Sequence, residues 1–531
     1  MSAGVSADPV LERMADAILI PPFPGKHAPR WVLAALERGL AGVTIFGPNI
    51  AGPEQLARLT AQLRSAGGLP LVAIDEEGGD VTRIAHLTGS PYPGNAALGA
   101  VDDAALTAAV HRALGQDLAA LGINVNLAPS VDVNTAADNP VIGIRSFGSD
   151  PDLVARHAAA AVRGLQAAGI AACAKHFPGH GSTSADSHHG IVTLQASLDQ
   201  LRRRDLPPFT AAIAAGVRGV MPGHLRVPEL TGDAPATLSA AALNGLLRGE
   251  LGFTGVIISD ALEMRAVSDL YGIPEAAVLA VAAGTDLLCF GRDAAEDSYL
   301  AVRRALSEAV ASGRLPAERL TEAQQNVARL RTWLADAAPQ RRAQLDRTGL
   351  EGTGLDGTGL DGTGLDGTGL DVGRPAGAGA HIGLVAARRA VRASSITTGA
   401  APGPLADPVV VELEAQENIA VGDVPWGLRP WVPAASVQRV PAGLAVSEAA
   451  TVAEAALVRA AGRPLIVVVR DAHRYPAVRA VVSELTAARP DTVVLEMGLP
   501  LWVPPAGVHL ATYGAARANA QAAAEVLGLS R

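Results

Sequence analysis

The sequence predicts an α/β chain: a (β/α)8 TIM-type barrel followed by a smaller C-terminal α/β sandwich domain. Three observations carry this. Between residues 15 and 291, eight short apolar runs alternate with helical patterns. Residues 346–370 then break into tandem pentads, DRTGL, EGTGL and three copies of DGTGL. From residue 381 onward, apolar runs separated by helical patterns return.

The eight runs fall at 17–20, 42–46, 71–74, 123–127, 169–174, 216–221, 255–259 and 285–290. Amphipathic stretches such as PEQLARLTAQLRSAG and DDAALTAAVHRALGQDLAALG lie between them. Near-continuous apolar strands separated by helices imply a parallel sheet covered on both faces, and eight such units in about 300 residues point to a closed barrel. A doubly wound open sheet is the rival, but no Gly-rich phosphate turn follows the first run. The pattern of PAERLTEAQQNVARLRTWLADA closes a first domain over residues 1–340.

The pentads have neither helical nor strand periodicity, and too little apolar area to offset the entropy of ordering them. Calcium-binding β-rolls also use Gly and Asp, but on a nine-residue period. A flexible linker over 341–380 is therefore expected. The remainder, 381–531, carries IGLVA, PVVVELE, PLIVVVRD, DTVVLEMG and VHLATYG as strand candidates of a small α/β domain.

Composition narrows the function classes. The chain is 49% hydrophobic and 18% charged, which fits a globular protein with a large core, and its net charge of −9 gives no electrostatic reason to expect nucleic acid or an anionic membrane as partner. Cys173 and Cys289 both sit in apolar runs and read as buried thiols rather than a disulfide. The N-terminal text has no basic segment followed by a long apolar one, and no span of about 18 apolar residues occurs. A soluble cytoplasmic protein is expected.

Chemistry concentrates in AKHFPGHGSTSADSHHG, residues 174–190. Lysine occurs only as Lys26 and Lys175; a chain that otherwise writes arginine has kept a compact ammonium beside His176. Other polar residues gather where strands should end. Asp75, Glu76, Glu77 and Arg83 follow the third run, Asp132 and Arg145 the fourth, Lys175 and His176 the fifth, His224 the sixth and Asp260 the seventh. Any one of these alone reads as a cap or a loop ion pair; their concentration at one rim of one barrel points to a site. Asp260 is either the N-cap of the helical ALEMRAV or a nucleophile or base, and local sequence leaves the two even. Asp186 and His188 stand two apart in a Gly/Ser/Thr-rich loop, where an aspartate fixing one imidazole nitrogen frees the other for proton transfer. His180 and His189 read as structural.

These residues match a family. KHFPGHG, four residues, then DSH, with ISDALEM downstream and DEEGGDVTR upstream, resembles the family 3 glycoside hydrolases, in their β-N-acetylhexosaminidase branch. The resemblance spans the whole barrel. It implies that Asp260 is the catalytic nucleophile, that His188 paired with Asp186 is the general acid/base, and that Asp75, Arg83, Arg145, Lys175 and His176 bind sugar. The chain departs from the family in having Asp80 after DEEGG, a charge change bearing on substrate preference, and Ser182 where many relatives have an acid.

Retaining glycosidases mostly use two carboxylates; the resemblance implies a histidine in place of one of them. The expected activity is removal of terminal β-linked N-acetylglucosamine, with cell-wall fragments as substrates and no metal or organic cofactor. The alternative is phosphorolysis, since a histidine would not repel incoming phosphate as a carboxylate would. A metal-dependent barrel hydrolase lacks its early H-x-H pair. A non-catalytic glycan-binding module is disfavoured because such modules stack sugars on aromatics and the chain is 3% aromatic. All the implied catalytic groups precede the pentads, so the barrel alone is expected to hold them.

Overall fold

The computed structural model describes residues 8–339 except 185 and 187–189, residues 378–395, and residues 404–529 except 417 and 506. Each of the eight apolar runs carries a strand: β1 (Leu19–Ile20), β2 (Gly42–Ile45), β3 (Leu71–Ile74), β4 (Val125–Asn126), β5 (Ala171–Phe177), β6 (Gly219–Pro222), β7 (Val256–Ile257) and β8 (Leu288–Cys289). Strands β2 to β7 pair in chain order, all parallel. β8 pairs with β1, also parallel. The ring closes through a bridge between Ile258 and Leu287 and a bond from Thr44 N–H to the Pro21 carbonyl at 3.2 Å. Val43, Ile45, Val72, Ile74 and Ile257 are fully buried, as strands covered on both faces require.

Two of the long barrel helices begin at side-chain caps that the sequence supplies. Asp103 accepts the Leu106 N–H ahead of helix Ala104–Ala120, and Asp150 accepts the N–H groups of Asp152 and Leu153 ahead of Pro151–Ala167. Pro151 opens the second of these with its φ already set for helix. β5 runs three residues past the expected apolar run, so Lys175 and His176 lie in the strand itself. Its register against β6 shifts between Lys175 and Phe177, and Phe177 meets Phe209 edge to face at 5.2 Å. Both cysteines are buried free thiols.

The second sheet has six strands: β9 (Arg392–Ser395), β10 (Val409–Leu413), β11 (Val437–Val440), β12 (Leu465–Val469), β13 (Val493–Glu496) and β14 (Val508–Ala511). Their spatial order is β9-β14-β13-β12-β10-β11, parallel except for the antiparallel edge strand β9. Helices Ala449–Arg459 and Pro476–Ala488 pack on one face and Arg517–Val526 on the other. One strand expectation fails. IGLVA lies in helix Ala378–Ala390, where Ala386, Ala387 and Ala390 are buried at helical spacing. Gly383 sits so close to the Pro91 carbonyl that a Cβ would lie 2.1 Å from its oxygen. The helix packs against both Ala104–Ala120 of the barrel and Arg517–Val526 of the second sheet. Of the linker expected at 341–380, residues 341–377 lie outside the described residues.

The second sheet's loops are tied to the barrel rim. Asp80 accepts from the Ala515 N–H at 2.8 Å and pairs with Arg470 at 2.5 Å. The aspartate expected to bear on substrate preference therefore faces the second domain. Arg389 pairs with Asp103 at 2.8 Å, and Asn418 Nδ2 donates to the Pro140 carbonyl at 3.1 Å.

Candidate active site

A cavity of about 790 Å3 opens at the C-terminal ends of the barrel strands, lined by Asp75, Arg83, Arg145, Lys175, His176 and Asp260 among others. Barrel enzymes use this face. How the chain delivers each group begins with the turn after β3. Gly78 and Gly79 both have positive φ, 75° and 63°. At Gly79 a Cβ would also lie 2.5 Å from the Gly94 Cα, so only glycine fits. Past this turn, the buried Glu76 carboxylate accepts from the Thr82 hydroxyl at 3.1 Å and the N–H groups of Arg83 and Ile84 at 2.7 and 3.1 Å. Glu76 thereby fixes where Arg83 starts. Burial pushes its carboxyl up to about 7, against the pull of those N–H donors.

Arg83 donates to Asp75 at 3.2 Å, and its other bonds go to the second domain, to the carbonyls of Ala420 at 2.8 Å and Val421 at 3.3 Å. Residues 418–424 form part of the cavity wall. The site thus draws on both domains, beyond what the barrel text alone predicts. Lys175 Nζ lies 2.5 Å from Asp75 and 2.8 Å from Glu77. Arg145 grips Glu77 through two parallel bonds, Nη2 at 2.7 Å and Nε at 3.0 Å, the fork geometry only a guanidinium offers. Burial alone would raise the Glu77 carboxyl, but Arg145 and Lys175 overrule it and hold it far below the usual carboxylate range. Burial likewise opposes the Lys175 ammonium, yet Asp75 and Glu77 keep its proton affinity raised.

His176 Nδ1 is 2.7 Å from Asp132 Oδ2. The other oxygen of Asp132 accepts the backbone N–H groups of His176 at 3.2 Å and His180 at 2.7 Å. Burial would raise Asp132, but His176 and the other donors bring its carboxyl below the usual range. His180, read as structural, is buried with Nδ1 2.9 Å from the Thr183 hydroxyl, and its ring also borders the cavity. Burial and the neighbouring His176 lower its affinity for a proton to about 4.

Asp260 follows β7, four strands round the barrel from Asp75. It does not cap the next helix, Arg265–Tyr271, whose N-cap is Met264. Its Oδ1 accepts the Ala261 N–H at 2.8 Å. His224 supports the same loop from beneath: Nε2 lies 3.0 Å from the Ala261 carbonyl and Nδ1 2.9 Å from the Thr237 hydroxyl. Three residues on, Glu263 also lines the cavity. It accepts the Gly291 N–H with one oxygen, while the other, Oε1, is buried without a hydrogen-bond partner among the described residues. Burial pushes its carboxyl up to about 7, with the Gly291 N–H pulling the other way.

Asp186 lines a separate cleft of about 650 Å3 that shares Ile142, Arg145 and part of the 418–424 wall with the first cavity. His188 and His189 lie outside the described residues. The structure thus brings together Asp75, Arg83, Arg145, Lys175, His176 and Asp260, and sets Asp186 next door. The sequence placed Glu77 and Asp132 at the rim without a role, and gave no part to Glu263 or to the loop at 418–424. The signal for the first two was present: acids at the ends of β3 and β4, beside the strand with the second of only two lysines.

The chain is similar to several known proteins. Residues 26–330 match the model of the glycosyl hydrolase family 3 N-terminal domain. Beta-hexosaminidase A of Pseudoalteromonas piscicida is 35% identical over 327 residues; the match covers 56% of this chain and 54% of that one, so the chain spans about half the length of this relative. Beta-hexosaminidase LpqI of Mycobacterium tuberculosis is 42% identical over 264 residues, 48% of this chain and 67% of that protein. Among solved structures, a family 3 β-N-acetylglucosaminidase from Paenibacillus sp. FPU-7 superposes with a TM-score of 0.81 at 32% identity, covering 98% of this chain and 96% of that one. With more than half its length inside the family model, and the acids, lysine and arginines of its motifs collected at one barrel mouth, the chain belongs to glycosyl hydrolase family 3.

Proposed function

We propose that the protein is a retaining β-N-acetylhexosaminidase that removes terminal β-linked N-acetylglucosamine, acting in the cytoplasm on cell-wall fragments. In this reading Asp260 attacks the anomeric carbon while His188, oriented by Asp186, protonates the departing oxygen. A glycosyl ester on Asp260 forms as the glycosidic bond breaks. His188 then takes a proton from water, which displaces Asp260 and releases the sugar with its configuration retained. Asp75 accepts from sugar hydroxyls, and Lys175, Arg83, Arg145 and His176 orient the ring and its acetamide. No metal or organic cofactor takes part.

The observation that carries the reading is the placement of Asp260 in the same cavity as the Asp75–Lys175–Glu77–Arg145 ion network. A rigid, charge-paired cluster suits repeated binding of one polar ring, and a carboxylate across from it suits attack at C1. Proton NMR of the first product from an aryl N-acetylglucosaminide, with and without phosphate, tests it. Initial release of the free β-anomer is expected. An α-anomer would reject Asp260 as nucleophile of a double displacement, and a sugar 1-phosphate would replace hydrolysis by phosphorolysis.

A further inference from the structure

The turn that carries Arg83 touches the second domain at two points, and that domain joins them. Asp80, three residues before Arg83, is buried; one oxygen accepts the Ala515 N–H at 2.8 Å and the other meets Arg470 at 2.5 Å. Arg83 divides its guanidinium between the domains. Nη2 lies 3.2 Å from Asp75 but 2.8 Å from the Ala420 carbonyl, and Nη1 lies 3.3 Å from the Val421 carbonyl. The shortest of these bonds runs to the backbone of the other domain.

Topology brings the two points together. Strands β10 and β12 are parallel neighbours, so their C-terminal ends open on one edge of the second sheet. Arg470 follows the last residue of β12, and Trp426 lies in the loop leaving β10. The Arg470 guanidinium sits over the Trp426 ring, 5.3 Å from its centroid, within range of a cation–π attraction. Trp426 is held by its own sheet: the Leu428 N–H donates to Glu412 at 3.0 Å, and Gly427 between them has φ 87°, where a Cβ would run into the Glu412 carboxylate. At the other end of the loop, Asn418 Nδ2 donates to the Pro140 carbonyl at 3.1 Å while its Oδ1 accepts the Ala420 N–H at 2.9 Å. The segment 418–426 is thus strung between two anchors and offers Arg83 its carbonyls from the middle. A continuous path runs from Asp80 through Arg470, Trp426 and this backbone to Arg83 and Asp75.

We propose that Arg470, held by Asp80, is a positioning residue for the sugar site: through Trp426 it sets the Ala420 and Val421 carbonyls, which keep Arg83 from closing on Asp75. The inference rests on the reading that Asp75 and Arg83 bind sugar. A guanidinium released from the two carbonyls turns to the carboxylate beside it, because a charge-assisted bond is the stronger one. The Asp75 oxygen it then occupies is one that sugar hydroxyls need. The cavity wall formed by the described residues does not include Asp80, Arg470 or Trp426. Their effect on the sugar therefore runs through Arg83, and the charge at Asp80 bears on a substrate it does not touch.

The test is a double-mutant cycle in the full-length protein between Arg470→Gln and Arg83→Gln, read in the kinetics of an aryl N-acetylglucosaminide. Calorimetric titration with N-acetylglucosamine reads the same cycle independently of turnover. Arg470→Gln should raise KM and weaken the sugar by roughly tenfold, with kcat within about twofold of the wild type, as loss of uniform binding requires. In the Arg83→Gln background the same change should have no further effect on either quantity. A purely structural role at the domain interface predicts the opposite, two losses that add. Additive losses therefore overturn the proposal, as does an Arg470→Gln protein that folds and binds sugar like the wild type, or one that loses kcat at unchanged KM. Should Arg470→Gln not fold, Trp426→Leu takes its place in the cycle with the same expectations, because it interrupts the path and leaves the Asp80–Arg470 pair intact. A wild type that neither turns over the aryl glycoside nor binds N-acetylglucosamine overturns the glycosidase reading and this inference with it; additivity in a working enzyme overturns this inference alone.

Discussion

The two sides of the barrel mouth hold their carboxylates differently. On the β3–β5 side, Asp75, Glu77 and Asp132 each meet a cation or an imidazole at 2.5 to 2.8 Å. On the β7–β8 side, Asp260 and Glu263 accept the backbone N–H groups of Ala261 and Gly291. An ionic lock fixes both position and charge, which serves a group that must hold a substrate in one pose. It would also occupy the oxygen that a nucleophile needs, since that oxygen must exchange its partners for a bond to carbon. A backbone N–H orients a carboxylate without competing to that degree. In the function proposed here the β3–β5 side binds the sugar, and the β7–β8 side, where Glu263 is anchored by a backbone N–H rather than by a cation among the described residues, carries the reacting carboxylate.

The largest expected effect tests the reacting side. Asp260→Ala should lower turnover by on the order of 10^4-fold or more while leaving the thermal midpoint near that of the wild type, because no covalent step remains. Substantial residual turnover in clean protein would move the nucleophile elsewhere and dissolve the contrast.

His188 comes next. His188→Ala should slow natural disaccharides by roughly 10^2- to 10^4-fold, and aryl glycosides with good leaving groups far less, since a phenolate departs without a proton. Added azide, which needs no deprotonation, should rescue release of the sugar from Asp260. Asp186→Asn should give a milder form of the same defect. Equal losses on both substrate classes without azide rescue would return the acid/base role to His176 or His180, both at the cavity wall.

The binding side is tested through stability. Glu77→Ala leaves Arg145 and Lys175 buried against one another without their shared carboxylate, at a cost of about 3–5 kcal/mol. Glu263→Ala strands one N–H, a cost of about 1–3 kcal/mol that relief of its burial-raised carboxyl offsets at neutral pH. Denaturant midpoints for the two variants measure this directly, and equal losses would show that the ionic lock has no special weight.

What the sequence revealed follows the range over which each signal acts. The eight barrel strands were legible because apolar runs and helical periodicity are local, and Lys175 and Asp260 stood out by composition and motif. The strand reading of IGLVA failed because a short apolar run has no decisive period. Its burial at Ala386, Ala387 and Ala390 becomes visible only once the helix packs between two partners. Glu77 was visible as a letter but not as the hub of a network, because its partners lie 68 and 98 residues away, at Arg145 and Lys175. The wall at 418–424 was out of reach for the same reason, since Arg83 finds Ala420 only across the domain interface. Asp80 shows the converse: read as a charge change bearing on substrate preference, it pairs with Arg470 of the second domain.

The pH dependence sharpens the comparison most, because it predicts opposite signs for the same chemical change. Glu77 is held far below its ordinary 4.5, so its ionised form stabilises the fold. That contribution is fully present above the unfolded value and is lost as pH falls through the folded one. Glu263 is pushed from 4.5 to about 7, so the fold prefers it protonated. Its penalty is absent below the unfolded value, grows as pH rises to about 7, and is constant above that. Replacing either by glutamine removes the titration but keeps the shape. Glu77→Gln should therefore be most destabilised at neutral pH and approach the wild type as the medium turns acid. Glu263→Gln should gain on the wild type between pH 4.5 and 7, reaching a plateau of about 3 kcal/mol at the usual 1.4 kcal/mol per pH unit. Urea midpoints across a pH series give both curves. If the two differences run in the same direction, cation pairing and backbone anchoring do not distinguish the two sides of the mouth.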